Sequence, residues 1–303
     1  MITKEEAVAE ASIPVDILNP GQVFACLGLV EAAEALLGDA EGAFDWTEPA
    51  RVRFWLRARG DASPVVQVLE FLANAEVRGE MPADSGLGSA WKSAWGTLES
   101  RSPDDPYPFP TPQSPQMVVC ILRHGGRVLA IDYWGDEGRD NFKLWAGSAG
   151  YPGAALVRDA LDLVRARAVA SAEDPFSVGA PQSSSFRLDW RRDYIPIDAG
   201  FSLNAHGGRI EAVGFPLVEV LGAVGLTHAR PRRVTRRDKL LYRYGIAGRS
   251  HDDSLWLSPS LLRAALGVAP LPFPTRRFRM HLGWPGKEGQ ARAITTVIEE
   301  TQS

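Results

Sequence analysis

The stretch IPVDILNPGQVFACLGLVEAAEALLGD, Ile13 to Asp39, decides how the chain begins to fold. Asn19-Pro20-Gly21-Gln22 has two readings: the lip of an active site with Cys26 as nucleophile, or the start of a helix. Ile13 to Ile17 alternates apolar and polar residues as a short strand does. Asn19 has a side-chain oxygen suited to capping, and Pro20 suits the first helical position, where its missing N–H costs nothing. Val23, Leu27, Val30 and Glu31 follow helical spacing. Phe24, Leu29, Ala33 and Leu36-Leu37 widen the apolar face, and Gly38 is a natural stop. Cys26 falls inside this helix with no His nearby in sequence, so it reads as a small buried hydrophobe. The stretch predicts strand, turn, helix.

Outward from there, the first third reads β-α-β-β-α. Short strands are expected near Gly42–Trp46 and Arg51–Arg59, and Pro64 opens a second helix with Val65, Val68, Leu69 and Leu72 on one face. Residues 79–116, with SGLGS and SPDDPYPFPTPQSP, read as a linker or long surface loop. The hairpin MVVCILRHGGRVLAIDYW turns at His124-Gly125-Gly126. Its first strand completes a β-α-β-β-α-β order, the split ferredoxin-like pattern. Pro152 begins a helix with Leu156, Ala160, Leu163 and Val164 as its stripe. Residues 171–209 are mostly loop, and their aromatics Phe186, Trp190, Tyr194 and Phe201 argue against disorder. A helix is expected over Pro216–Val224, and strands over Lys239–Ile246, Arg276–Trp284 and Arg292–Ile298, with a helix at Pro259–Leu266 between the first two. The fold class is therefore α+β. Residues 1–134 form a ferredoxin-like domain with a Pro-rich loop. Residues 135–303 form a loop-rich, basic α+β domain with a strand-rich end, packed on the first or separate from it.

Composition narrows the function. With 303 residues, 45% hydrophobic and 23% charged, the chain is an ordinary globular one. No apolar run reaches the roughly 18–20 residues that span a bilayer. The acidic start MITKEEAVAEAS does not resemble a signal peptide, and two Cys make neither a disulfide framework nor a zinc site. The expected location is the cytoplasm, with no membrane contact and no cofactor. Net charge is −4 but uneven: from His228 onward there are fourteen Lys and Arg against six Asp and Glu, whereas the first fifty residues hold one basic and ten acidic side chains. Such asymmetry suggests an acidic docking surface and an anionic partner.

No catalytic set emerges. Ala146-Gly147-Ser148-Ala149-Gly150 resembles a nucleophile elbow, with Asp198 and His206, His228 or His251 as triad partners, but the polar GDEGRDNFK before it is no buried strand. The five His lack zinc spacing, His251-Asp252-Asp253 reads as a solvated turn, and GWPGKEG lacks P-loop spacing. The basic stretches carry more. FRLDWRRDYIP sets Arg187, Arg191 and Arg192 beside aromatics. ARPRRVTRRDKLLYRYG holds Arg232, Arg233, Arg236 and Arg237, and TRRFRMHLGW holds Arg276 and Arg277. Arg forks fit phosphate oxygens and aromatic faces stack on bases. Gln182, Ser183, Ser184 and Ser185 in APQSSSF add short polar groups suited to base edges or phosphates.

Four blocks, VDILNPGQVFACLGLVEAA, DNFKLWAGSAGYPGAALVRDALDLV, DPFSVGAPQSSSFRLDWRRDYIPIDAGFSLNAHGG and RMHLGWPGKEGQARAIT, resemble a family of CRISPR-associated (Cas) proteins of the type I-U (I-G) systems, the Cascade large-subunit-like component. The resemblance runs from about Ile13 to Thr296. It implies a non-catalytic subunit that reads the protospacer-adjacent motif (PAM) and binds target double-stranded DNA beside CRISPR RNA and other Cas subunits, with a recruited nuclease-helicase degrading the target. On this reading Lys143, the loop Gln182–Arg192 and the Arg run from 230 to 243 contact nucleic acid. Two alternatives stay open: a backbone-type subunit gripping guide RNA, and a serine hydrolase using Ser148.

Overall fold

The computed structural model describes residues 7–134, 151–182, 184–191, 213–235, 237–250, 254–284 and 292–300. In chain order the elements are β1 (Val8–Pro14), α1 (Pro20–Leu36), β2 (Glu41–Asp45), β3 (Arg53–Arg59), α2 (Pro64–Asn74), β4 (Glu76–Pro82), β5 (Leu98–Arg101), β6 (Val119–His124) and β7 (Arg127–Ile131). Then follow α3 (Gly153–Asp162), α4 (Arg165–Ala168), β8 (Ala180–Pro181), β9 (Val213–Gly214), α5 (Pro216–His228), β10 (Arg232–Arg233), β11 (Leu241–Arg249), α6 (Pro259–Leu266), β12 (Thr275–Gly283) and β13 (Ala293–Glu300).

The opening stretch is a strand and a helix, joined through a cap. The Asn19 side-chain oxygen accepts the Gly21 N–H at 3.1 Å, and Pro20 takes the first helical position. The strand lies earlier than the alternation suggests, at Val8–Pro14, because it pairs antiparallel with β3 over that whole length. α1 is apolar on every side, and fifteen of its seventeen residues are buried. A helix of that kind belongs in the middle of a protein. Its partner is α5, buried at eleven of thirteen positions. The two meet at glycines: a methyl on Gly28 would collide with the Leu221 carbonyl, and one on Gly225 with the Phe24 carbonyl. Backbones this close leave no room for any side chain between them.

The sheets sit around this pair. The larger has the order β1-β3-β2-β11-β12-β13, with β10 paired to β11. The smaller has the order β5-β4-β6-β7, and α1 touches β2 and β3 of the first sheet and β7 of the second. The α+β class holds. The N-terminal unit keeps the order β1-β3-β2, but the strand expected to close it, β6, lies in the second sheet between β4 and β7. The cause is β4, whose second half, from Gly79 on, falls in the stretch expected to be loop. Glu76-Val-Arg-Gly-Glu-Met-Pro82 is too charged to announce a strand. Yet its Glu80 is buried against Arg101 and Arg123, and Arg78 pairs with Glu76 and Glu99. Charge pairing lets a polar strand sit next to β6.

β2 pairs in parallel with β11 through Phe44↔Gly248 and Asp45↔Arg249, so residues on both sides of position 134 share one sheet and one core. Tyr244 of β11 stacks on Phe278, meets Phe24 edge-on, and donates its hydroxyl to the Ile17 carbonyl at 2.8 Å. The β6–β7 turn is the two-residue Gly125-Gly126, both at positive φ (56° and 78°), as the tightest hairpins require. Around α3 the expected stripe residues Leu156, Ala160 and Val164 are buried; Leu163, just past the helix end at Asp162, is exposed, and Leu161 is buried. Cys26 and Cys120 are both buried, and burial pushes both thiols up. No helix among the described residues is long and apolar enough to cross a membrane.

Candidate nucleic-acid interface

The Arg-rich run folds onto the edge of a sheet. In β10, Arg232 lies opposite Arg243 of β11, and Arg243 lies opposite Arg279 of β12. Residues directly opposite in antiparallel pairs share a face, so three arginines form one row across three strands. Arg277, two residues from Arg279, joins that face opposite Glu300 of β13. Like charges in register repel. Glu300 relieves this by accepting from Arg243 Nε at 2.9 Å and from Arg279 at 2.6 Å. Burial opposes its charge, but those hydrogen bonds hold the carboxyl below the usual range. Among the described residues the side chains of Arg232 and Arg277 make no hydrogen bond or ion pair, and Arg232 is exposed. Arg237 and Lys239, both exposed, stand in the turn that leads into β11. The face is strongly cationic with two guanidinium groups uncommitted.

Arg276 turns the other way. Strand alternation sends it to the face of Phe278 and Glu299, where it forms a two-pronged pair with Glu299 at 2.6 and 2.7 Å. The hydrogen bonds from Arg276 hold the Glu299 carboxyl low. Arg276 also forms the wall between two clefts. One, of about 560 Å3, includes Asp16, Arg51, Arg53, Asp174, Arg191 and Arg276 in its lining. The other, of about 730 Å3, includes Trp46, Phe273, Arg276 and Arg277.

The polar loop is mostly a structural strut. Gln182 is buried and lies beside Gly214. Ser184 is exposed; Ser185 is half-buried, and its hydroxyl accepts the Arg187 N–H at 3.2 Å. Arg187 takes a left-handed conformation, φ 62°. Leu188 and Asp189 are fully buried, and both their N–H groups donate to Glu219 of α5 at 3.1 Å. Asp189 in turn accepts the Asn19 amide at 2.9 Å and pairs with Arg191 at 2.6 Å. Arg191 also donates to the Phe176 carbonyl and stacks 3.6 Å over the Phe215 ring. Asn19 thus caps α1 and anchors a loop 170 residues away.

Of the residues expected to touch nucleic acid, Arg191 and Arg276 share one cleft, Arg276 and Arg277 line the next, and Arg232 joins Arg277 on the sheet face. Arg233, beside Arg232, points to the opposite face of β10 and is half-buried. Lys143, Ser183, Arg192 and Arg236 lie outside the described residues, as does the Ala146–Gly150 turn with Ser148.

Sequence reading passed over Arg51, Arg53 and Trp46. The Arg51 side chain is exposed and, among the described residues, has no hydrogen bond or ion pair, and the Arg53 side chain there bonds only the hydroxyl and carbonyl of Ser12. Their signal was faint because they lie in the acidic third. Nearby, Arg249 is sandwiched 5.3 Å from the Trp55 ring and 4.4 Å from that of Trp256, with Arg57 on Trp256 at 4.5 Å. Several acids of the N-terminal third are neutralised within the chain: Asp39 by Arg59, Glu41 by Arg57 and Glu31 by Arg263. Comparison with protein-family models, curated proteins and solved structures finds no match.

Proposed function

We propose that this chain is a non-catalytic, nucleic-acid-binding subunit of a cytoplasmic type I CRISPR RNA-guided surveillance complex, in the large-subunit role of PAM recognition and target DNA binding. The CRISPR assignment rests on the sequence resemblance. The nucleic-acid part rests on one observation, the row Arg232–Arg243–Arg279 with Arg277 beside it, which one carboxylate only partly balances. Such a flat cationic face suits a run of backbone phosphates, which position a duplex without reading its sequence. Base pairing by the guide supplies most of the specificity in such complexes. The partners are CRISPR RNA, target DNA, other Cas subunits and a recruited nuclease-helicase.

The test is a gentle purification of the tagged protein from its own cell, with sequencing of the RNA that comes with it. Short RNAs of uniform length with repeat-derived 5′ ends, together with stoichiometric protein partners, are expected. A lone protein without RNA refutes the assignment. One feature favours the backbone-type alternative: the β1-β3-β2 sheet carries Arg53, Trp55 and Arg57 on a single face of β3. Guide crosslinks concentrated on that strand, with none on β10–β12, would select it.

A further inference from the structure

We propose that the two clefts divided by Arg276 form one binding site for an unpaired nucleotide of a single strand, with its phosphate at Arg51 and Arg53 and its base on Trp46. The inference rests on the nucleic-acid reading above and adds to it the kind of strand and the residues that hold it.

The geometry begins with the β2–β3 hairpin. Asp45 is opposite Arg53 in the ladder, so Trp46 and Arg51 both lie in the one seven-residue connection between β2 and β3, and Arg276 lines the clefts of both. Trp46 lines the 730 Å3 cleft and the two arginines line the 560 Å3 cleft; each volume lies within the range of about 300–1,000 Å3 typical of small-ligand sites. The guanidinium groups in the first cleft differ in their commitments. Arg191 and Arg276 are already paired to Asp189 and Glu299. Among the described residues the Arg51 side chain has no partner and that of Arg53 has no carboxylate, so these two have charge to offer a phosphate.

Asp16 and Asp174 line the same cleft. They disfavour a bare polyanion and offer acceptors to sugar hydroxyls or base N–H groups. A nucleotide satisfies both signs of charge. The Trp46 ring is half-buried, and Arg276 stands 5.9 Å from its centroid, so a base entering there meets an aromatic face and a guanidinium plane. A duplex keeps its base faces stacked inside and presents only backbone and base edges, so it leaves the Trp46 ring face unused.

The test measures binding of the full chain to a labelled oligothymidine of about 16 nucleotides and to a duplex of the same length. Trp46→Ala should weaken binding of the single strand about five-fold or more, while Trp46→Phe keeps most of it. Arg51→Ala, which removes no side-chain hydrogen bond or ion pair among the described residues, should flatten the salt dependence for the single strand by about 0.7. Duplex binding should be unchanged in all three. If these variants hold the single strand as the parent does while Arg232→Ala and Arg277→Ala lose duplex, the inference falls and the nucleic-acid reading stands. Equal losses on strand and duplex make the groove a general phosphate contact and overturn it. A parent chain that binds neither nucleic acid overturns both.

Discussion

Asn19 shows how one side chain carries two jobs. Its oxygen caps α1 and its amide holds the buried carboxylate of Asp189. Asn19→Ala removes both, and leaves a fully buried acceptor with one donor fewer. The expected loss is about 2 kcal/mol in urea denaturation, from the cap and the orphaned carboxylate together. Asn19→Asp separates the two: it keeps the capping oxygen but sets a second carboxylate against Asp189. If Asn19→Asp matches the parent, the Asp189 contact has no energetic weight. The cap was legible in sequence from Asn-Pro. The contact was not, because nothing local ties position 19 to position 189.

At the scale of elements, α1 and α5 make the sharpest case. Helix propensity alone says that Gly28→Ala should stabilise a helix by about 1 kcal/mol. Packing reverses the sign, since the new methyl meets the Leu221 backbone. A loss of about 3 kcal/mol is expected from chemical denaturation; a more stable variant would mean the helices are not in backbone contact. β13 offers a pH test. Glu299 and Glu300 have folded pKa values below the ordinary Glu value of about 4.3, held there by Arg276, and by Arg279 and Arg243. Groups shifted down stabilise the fold above their ordinary pKa, and that contribution is lost as pH falls through the lower folded values. Amide protection in β13, corrected for intrinsic exchange, should therefore hold at neutral pH and drop below about pH 4. Protection that persists to pH 2 would show that the pairs do not hold this strand.

For the whole molecule, the cationic row predicts a separation of stability from binding. The side chains of Arg232 and Arg277 have no hydrogen bond or ion pair among the described residues, so replacing both with Ala should change stability by less than about 0.5 kcal/mol. The same double variant should flatten the salt dependence of duplex binding by nearly one unit per lost phosphate contact, about 0.9 each. An unchanged slope would take the row out of the interface. Removing residues 1–80, in contrast, deletes α1 from the centre of the core. The remainder should fail to fold, so the acidic third cannot be tested as a detachable docking module; soluble, cooperatively folded remainder protein would contradict this.

Periodicity and capping determined the local pieces of this protein: α1 from its apolar run after Asn19-Pro20, α2 from Pro64, α6 over its full span, and the hairpin around Gly125-Gly126. These signals are legible because they act between residues close in sequence. Three basic stretches also announced most of the arginines that matter. Which of them work together was a tertiary decision. Strand pairing put Arg232, Arg243 and Arg279 in one row, alternation sent Arg276 and Arg277 to opposite faces, and the β2–β3 turn brought Arg51, Arg53 and Trp46 to the Arg276 wall. The loop Gln182–Arg191 looked polar and free, yet the buried Asp189 and Glu219 hold it inside. The second half of β4 looked like loop because its charges are paired by strands that follow it in the chain. A charge seen in sequence has no partner until the fold supplies one, and the partner determines whether it braces the core or faces a ligand.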